Sequence, residues 1–236
     1  MEKQMKEFGL DFQFIEGKLG TDPEVLASCD DKLAIKEHRK VLMTGEKGCA
    51  YAHKSIYEKM LRENIPYALV LEDDVVLHKN FRNALDKITE GKKNFDWLSL
   101  EYAKIGFPFI KTWLVASGKM TRKNPLFFFY AFLKFPFLLI LSIFESLRSS
   151  LAEIVPFFAG PKIFYRPVYN AGAYIITESG IKKMMSLLTP LRFSADRTPN
   201  QARIKKGLKM RWYVPRIAHQ TDEEESNIFS SNTLIN

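Results

Sequence analysis

Three consecutive carboxylates, Glu72, Asp73 and Asp74, stand directly after the apolar run Tyr67-Ala-Leu-Val-Leu71. Oxygen ligands of this kind suit hard or borderline divalent cations such as Mg²⁺ and Mn²⁺, which take one or two carboxylates plus substrate phosphates. In an extended segment alternate side chains point the same way, so Glu72 and Asp74 are expected to approach one cation together while Asp73 faces the other side. Like charges at the end of a buried strand also need solvent, a cation or basic partners to compensate them. A strand ending in a polar turn explains the triplet equally well when it is read alone. Other residues with usable chemistry are scattered: His53, Glu101, Asn170 with Gly172, Asp196, and the pair His219 and Gln220. Taken by itself, His53 reads as a core histidine satisfied by a backbone partner. Asn170 and Gly172 read as a plain turn before a strand or as a close backbone approach to a ligand.

The elements that must position these groups are legible from periodicity. Lys3 to Phe14 reads as the end of a helix closed by Gly9, followed by a short alternating strand through Leu10, Phe12 and Phe14. Glu16 to Lys40 has no strong period and reads as an irregular surface segment. Thr44 caps a helix whose inward face carries Cys49, Ala52, Ile56 and Met60, with His53 on the same face. Asn64-Ile65-Pro66 stops that helix, and Tyr67 to Leu71 has the length and continuous apolarity of a strand buried on both faces of a mostly parallel sheet. A second helix is expected from Asn80 to Ile88, with Phe81, Ala84, Leu85 and Ile88 inward, then a strand over Trp97 to Leu100. The alternation resumes with a strand over Ala173 to Ile176, Thr177 as a cap, and a stripe of Ile181, Met184, Met185 and Leu188. The expected fold class is α/β, with helices flanking a largely parallel sheet; ligands of such sheets collect outside the carboxyl ends of the strands, where the acidic triplet falls.

Composition narrows the partners. With 46% apolar and 26% charged residues among 236, the chain suits one folded domain rather than a disordered or multi-span protein. The net charge of +8 favours anionic partners such as headgroups, phosphorylated glycolipids or nucleotide diphosphates. Nucleic acid is excluded as a partner, because the basic residues are scattered and the aromatics run together in apolar blocks instead of alternating with Lys and Arg. Cys29 and Cys49, without a signal-peptide pattern, fit a reducing cytoplasm and no disulfide.

Two segments in combination, Gly45-Glu-Lys-Gly-Cys-Ala-Tyr-Ala-His53 and Tyr67-Ala-Leu-Val-Leu-Glu-Asp-Asp-Val75, resemble the signature region of glycosyltransferase family 25, the lipo-oligosaccharide glycosyltransferases. Gly9-Leu-Asp-Phe, Asn170-Ala-Gly-Ala-Tyr-Ile-Ile-Thr-Glu-Ser-Gly180, the Asp196 loop, and Gln220 with Ser226 and Ile228 follow in the family's order. The resemblance implies a GT-A-like nucleotide-sugar fold. It also implies a divalent metal, Mn²⁺ or Mg²⁺, held by Asp74 and Glu72 against the donor diphosphate, with Asp73 turned to the donor's ribose or sugar. A carboxylate base would take the acceptor hydroxyl's proton; Asp196 is the first choice and Glu101 the second. His53, Asn170, Gly172 and Gln220 would line the donor site, and His219 would reach the metal or phosphates from the C-terminal end. The implied reaction moves a hexose, galactose by resemblance and hence from UDP-galactose, to a lipopolysaccharide-type acceptor. Family members open with a strand and an Arg-containing segment that this chain is expected to lack, which leaves a non-catalytic membrane-binding homologue as one alternative. A metal-dependent phosphohydrolase using the same acids is another.

The stretch from residue 104 to 165 matches none of this and is rich in Phe. Pro125 to Phe144 contains one charge, Lys134, over a length close to a membrane span. A crossing there would separate Glu72 and Asp74 from the Asn170 to Asp196 region, and Pro136 would kink the helix. The expectation is therefore an inserted helix or hairpin over 123–148 lying in the membrane interface. Lys119, Arg122, Lys123, Lys134 and Arg148 would hold it to anionic headgroups on the cytoplasmic face. An internal helix covering the sheet, or a dimer contact, is the competing reading.

Overall fold

A computed structural model describes residues 1–101, 159–163 and 170–221, together with positions 140, 143, 144 and 147. The chain divides into two compact units, one formed by Met1–Tyr102 with Gly160–Asn236 and the other by Ala103–Ala159. The second unit falls almost wholly outside the described residues, and with it the expected helix over 123–148.

In the first unit the described helices are α1 (Glu2–Glu7), α2 (Pro23–Ser28), α3 (Asp31–His38), α4 (Thr44–Arg62), α5 (Phe81–Glu90), α6 (Glu178–Leu188) and α7 (Arg197–Lys206). The strands are β1 (Tyr67–Leu71), β2 (Val75–Leu77), β3 (Trp97–Ser99), β4 (Gly160–Lys162), β5 (Ala173–Thr177), β6 (Met210–Val214) and β7 (Ala218–Gln220). The main sheet has the order β1-β5-β3-β6-β4, and β2 pairs with β7 in a separate ribbon. The α/β class holds, but the sheet is mixed. β1, β3 and β6 share one direction, β5 lies between β1 and β3 in the opposite sense, and β4 closes the far edge antiparallel to β6.

Strand alternation divides the core. Leu98, Leu100, Ala173 and Ile175 face the side where α5 packs with Phe81, Ala84, Leu85 and Ile88, all four on the face expected from their spacing. Trp97 and Tyr174 point to the opposite face and stack there, ring centroids 3.6 Å apart, against the side that carries α4. Burying such rings on both faces is the main source of cohesion, at about 1.5–3 kcal/mol for each large apolar side chain.

Several local expectations are corrected. Residues 10–14 form no strand, and Phe12 and Phe14 stand exposed. The stretch expected to be irregular contains α2, which opens with Pro23 in its first turn, and α3, where the Asp30 carboxylate accepts the Leu33 N–H; local capping builds these short helices without an apolar stripe. Thr44 lies inside α4 rather than capping it; the Glu46 carboxylate accepts the Met43 N–H at 2.8 Å instead. On α4, His53 and Met60 are buried as expected, while Ala50 and Tyr57 take the buried places expected for Cys49 and Ile56. β1 is an edge strand with only Val70 fully buried, because β5 is its sole neighbour among the described residues. Thr177 does cap α6, accepting the Gly180 N–H at 3.2 Å, and Leu187 takes the buried place expected for Met185.

Candidate active site

Because β1 and β3 both run antiparallel to β5, their carboxyl ends meet its start: Leu71 pairs with Ala173, and Ser99 with Tyr174. Glu72 follows β1 and Glu101 lies just past β3, so two glutamates flank the residues that lead into β5. The Glu72 N–H donates to the Gly172 carbonyl at 2.7 Å, joining the acidic triplet to the 170–173 segment.

Asp73 and Asp74 occupy a turn, closed by the Val75 N–H on the Glu72 carbonyl, and both are exposed. Glu72 and Asp74 do converge, but through this turn and not through strand alternation. The Gln220 side-chain amide shows it, donating to Glu72 Oε2 at 2.9 Å and to the two Asp74 oxygens at 3.4 and 3.3 Å. Gln220 arrives there because β7 pairs with β2 in the register Val75 to Gln220. His219, its neighbour on β7, points to the other face and bonds His78 at 3.0 Å, so it does not join the carboxylates.

The inner oxygen of Glu72, Oε1, receives His53 Nε2 at 3.1 Å and the Cys49 thiol at 3.7 Å. Burial pushes the Glu72 carboxyl up, but the hydrogen bonds from His53, Cys49 and Gln220 outweigh it and hold the group below its ordinary value. Its neighbours move the other way. Burial, with the Glu72 charge behind it, pushes Asp196 up to about 6 and raises Asp74. Glu101 is pushed up to about 7 by burial, with the Glu72 and Asp74 charges adding to it.

Glu101 is 1% exposed. Its Oε1 accepts the N–H groups of Gly172 at 2.6 Å and Ala173 at 3.1 Å, while Oε2 has no hydrogen-bond partner among the described residues. Asp196, at the start of α7, accepts the Ala171 N–H and keeps part of its surface open. Three successive amides, 171 to 173, thus point at two carboxyls from different elements. Gly172 is required here: a Cβ would lie 2.6 Å from Glu101 Oε1 and 3.1 Å from both Gln220 Nε2 and Val75 Cγ2. Asn170 lies two residues earlier and is half-buried.

Two groups of side chains have the atom types to hold a metal. The Cys49 thiol, His53 Nε2 and a Glu72 oxygen lie within 4.8 Å of one another. Their spacing is that of the hydrogen bonds between them, and burial raises the Cys49 thiol so that it stays a protonated donor. The outer set fits a hard cation better. Glu72 Oε2 and Asp74 supply oxygens, and rotating the Gln220 amide presents its carbonyl oxygen where its N–H₂ now donates.

Sequence reasoning missed Cys49 as a ligand of Glu72, and missed Tyr174 and Tyr57 behind His53. The signal was present: Cys49, His53 and Tyr57 recur every fourth residue on one face of α4.

The sequence profile of glycosyltransferase family 25 (LPS biosynthesis protein) matches residues 1–198. Among curated proteins, the chain is 36% identical over 61 residues to the lipooligosaccharide biosynthesis protein lex-1 of Haemophilus influenzae, covering 26% of this chain and 20% of that protein. It is 32% identical over 90 residues to the lacto-N-neotetraose biosynthesis glycosyltransferase LgtE of Neisseria meningitidis serogroup B, covering 37% and 31%. It is also 39% identical over 51 residues to the inactive glycosyltransferase 25 family member 3 of Homo sapiens, covering 22% and 9%. The matched segments therefore span less than a third of these relatives' own lengths.

Proposed function

Since the chain belongs to glycosyltransferase family 25, we propose that it transfers a hexose, galactose in the first instance, from a uridine-diphosphate donor to a lipopolysaccharide-type acceptor, assisted by Mn²⁺ or Mg²⁺. The observation that carries this is the Gln220 amide spanning Glu72 Oε2 and Asp74, which marks a point where two carboxylates converge at the carboxyl edge of the sheet. The mixed sheet with helices on both faces supports a GT-A-like reading of the fold.

Bound between Asp74, Glu72 and Gln220, a divalent cation would neutralise the charge that builds on the departing nucleotide diphosphate. Asp73, exposed beside them, is assigned to the donor's ribose or sugar. Asp196 is the base: it retains an open surface and a carboxyl pushed up to about 6, matched to taking a hydroxyl proton near neutrality. Glu101 is removed from that role, because its enclosed carboxyl is committed to the Gly172 and Ala173 amides. His53 is likewise removed from the donor-lining set, both of its ring nitrogens being occupied inside the protein.

Donor-binding calorimetry tests the reading. Wild-type protein is expected to bind UDP-galactose more tightly with Mn²⁺ than without, and Asp74→Ala to lose that increment. Absence of transfer from every member of a nucleotide-sugar panel with Mn²⁺ present would refute catalysis. The human relative's name supports a second reading, a non-catalytic homologue, which metal-dependent donor binding without turnover would identify.

Attachment to the cytoplasmic face of a membrane belongs to the same proposal. At helical positions 140, 143, 144 and 147 the side chains of Ile140, Ile143, Phe144 and Leu147 are exposed, and their spacing aligns them on one face. No helix among the described residues is long and apolar enough to cross a membrane. Ile143→Asp with Phe144→Asp is expected to release the protein from anionic vesicles; unchanged co-sedimentation would refute the anchor.

A further inference from the structure

Behind Glu72 a chain of hydrogen bonds runs into the core. His53 Nδ1 meets the Tyr174 hydroxyl at 2.6 Å, and that hydroxyl meets the Tyr57 hydroxyl at 2.8 Å. Tyr57 is 1% exposed and Tyr174 fully buried, and Tyr174 is stacked on both Trp97 and the His53 ring. One assignment gives every proton in this chain an acceptor. Tyr57 donates to Tyr174, Tyr174 donates to His53 Nδ1, and His53 Nε2–H donates to Glu72 Oε1. The reverse order leaves the Tyr57 proton unused and sets a bare imidazole nitrogen against a carboxylate. For a neutral imidazole, the tautomer that serves Glu72 is therefore selected by two hydroxyls locked in the core.

Resting on the site reading given above, we infer that His53 is a positioning residue. With Cys49 it clamps Glu72 Oε1 inward, so that Oε2 turns toward Asp74 and Gln220, where a divalent cation carrying a nucleotide diphosphate is received. The division of the two oxygens is the supporting geometry: Oε1 takes His53 and Cys49, and Oε2 takes Gln220. Without the imidazole, the carboxylate keeps only the Cys49 and Gln220 contacts, is held less firmly, and must be ordered further when the cation binds. Partners that orient ligands in this way have effects of about 10- to 100-fold on metal affinity.

The test is Mn²⁺ affinity of the full chain, read from the electron paramagnetic resonance signal of free Mn²⁺, with thermal unfolding followed in parallel. His53→Ala should weaken Mn²⁺ binding by about 10- to 100-fold. His53→Gln, whose amide can donate from nearly the same place, should restore it to within a few-fold. Tyr174→Phe keeps the ring on Trp97 but removes the hydroxyl, and should weaken binding by a smaller factor; it decides the matter if His53→Ala does not fold. Folded His53→Ala or Tyr174→Phe with wild-type Mn²⁺ affinity would overturn the inference, as would folded His53→Gln that binds no better than His53→Ala. Wild-type protein that takes up no Mn²⁺ would overturn the site reading itself and this inference with it.

Discussion

Glu72 and Glu101 begin from the same circumstances and end as opposites. Each follows a strand and each flanks the start of β5, although Glu101 is buried and Glu72 only partly so. Glu72 receives side-chain donors on both oxygens from α4 and β7, and stays ionised below its ordinary range. Among the described residues Glu101 receives only backbone donors, on one oxygen, with the other unpaired; it faces the charges of Glu72 and Asp74 and is pushed up to about 7. Burial alone does not decide whether a carboxyl is charged; the supply of donors and the sign of its neighbours do. Keeping Glu72 charged raises the carboxyls around it, and on the proposed reading one cluster then holds both an anionic cation ligand and a carboxyl poised to take a proton.

The largest effect is expected at the third member of the group. Asp196→Asn should lower kcat by about 10²- to 10⁴-fold while leaving Mn²⁺-dependent donor binding in place, as steady-state kinetics and calorimetry together will show. In the wild type the acid limb of kcat/KM should fall below about pH 6, where Asp196 becomes protonated. Glu72→Gln should move that limb to lower pH by removing the charge that raises Asp196; an unmoved limb would break the electrostatic account.

Stability should separate the two glutamates next. Glu101 has a folded value above its ordinary 4.5, so the folded state holds its proton longer. Its contribution is complete below about pH 4.5 and is lost as pH rises through about 7. Glu101→Gln should therefore stabilise the protein at pH 8 by up to about 3 kcal/mol, with no gain at pH 4, in denaturant titrations. Glu72 behaves oppositely: its contribution is present above its ordinary 4.5 and is lost as pH falls through its lowered folded value. Glu72→Gln should cost about 1–3 kcal/mol at neutral pH, because the new amide group faces donors that have lost their acceptor. Equal behaviour of the two variants would erase the distinction.

An effect of similar size is expected from Gly172→Ala, about 1–3 kcal/mol, since the added methyl meets Glu101 Oε1 at 2.6 Å. In a Glu101→Ala background the same substitution should cost less, because the atom it meets is gone. The smallest is Thr177→Ala, remote from both glutamates, at about 1 kcal/mol for a lost helix cap and no change in the pH profiles.

How much of this was legible in the sequence varied with the physics behind each element. α5 and β5 were readable because their own periodicity or length fixes them: Phe81, Ala84, Leu85 and Ile88 face inward as spaced, and Ala173 to Ile176 is a strand. The short helices α2 and α3 were not, since they are held by a proline start and an Asp30 cap rather than by an apolar stripe. The direction of β5 was hidden for a different reason. Strand sense depends on pairings between residues about 100 apart, and alternating helix and strand patterns do not encode it. In the site, the carboxylates could be named from their place after strands, but not their charge states. Those depend on Cys49, Tyr174 and the 171–173 amides meeting in space.

α4 carries Cys49, His53 and Tyr57 at four-residue intervals, and the site reads that helix as a ruler. Losing or gaining a single residue between Cys49 and Tyr57 would swing the groups beyond the change by about 100° around the helix axis. The thiol and the phenol could then no longer serve the same buried wall. Length variation is expected to be tolerated in the exposed 11–17 segment, and to be lethal to the site within those two turns of α4.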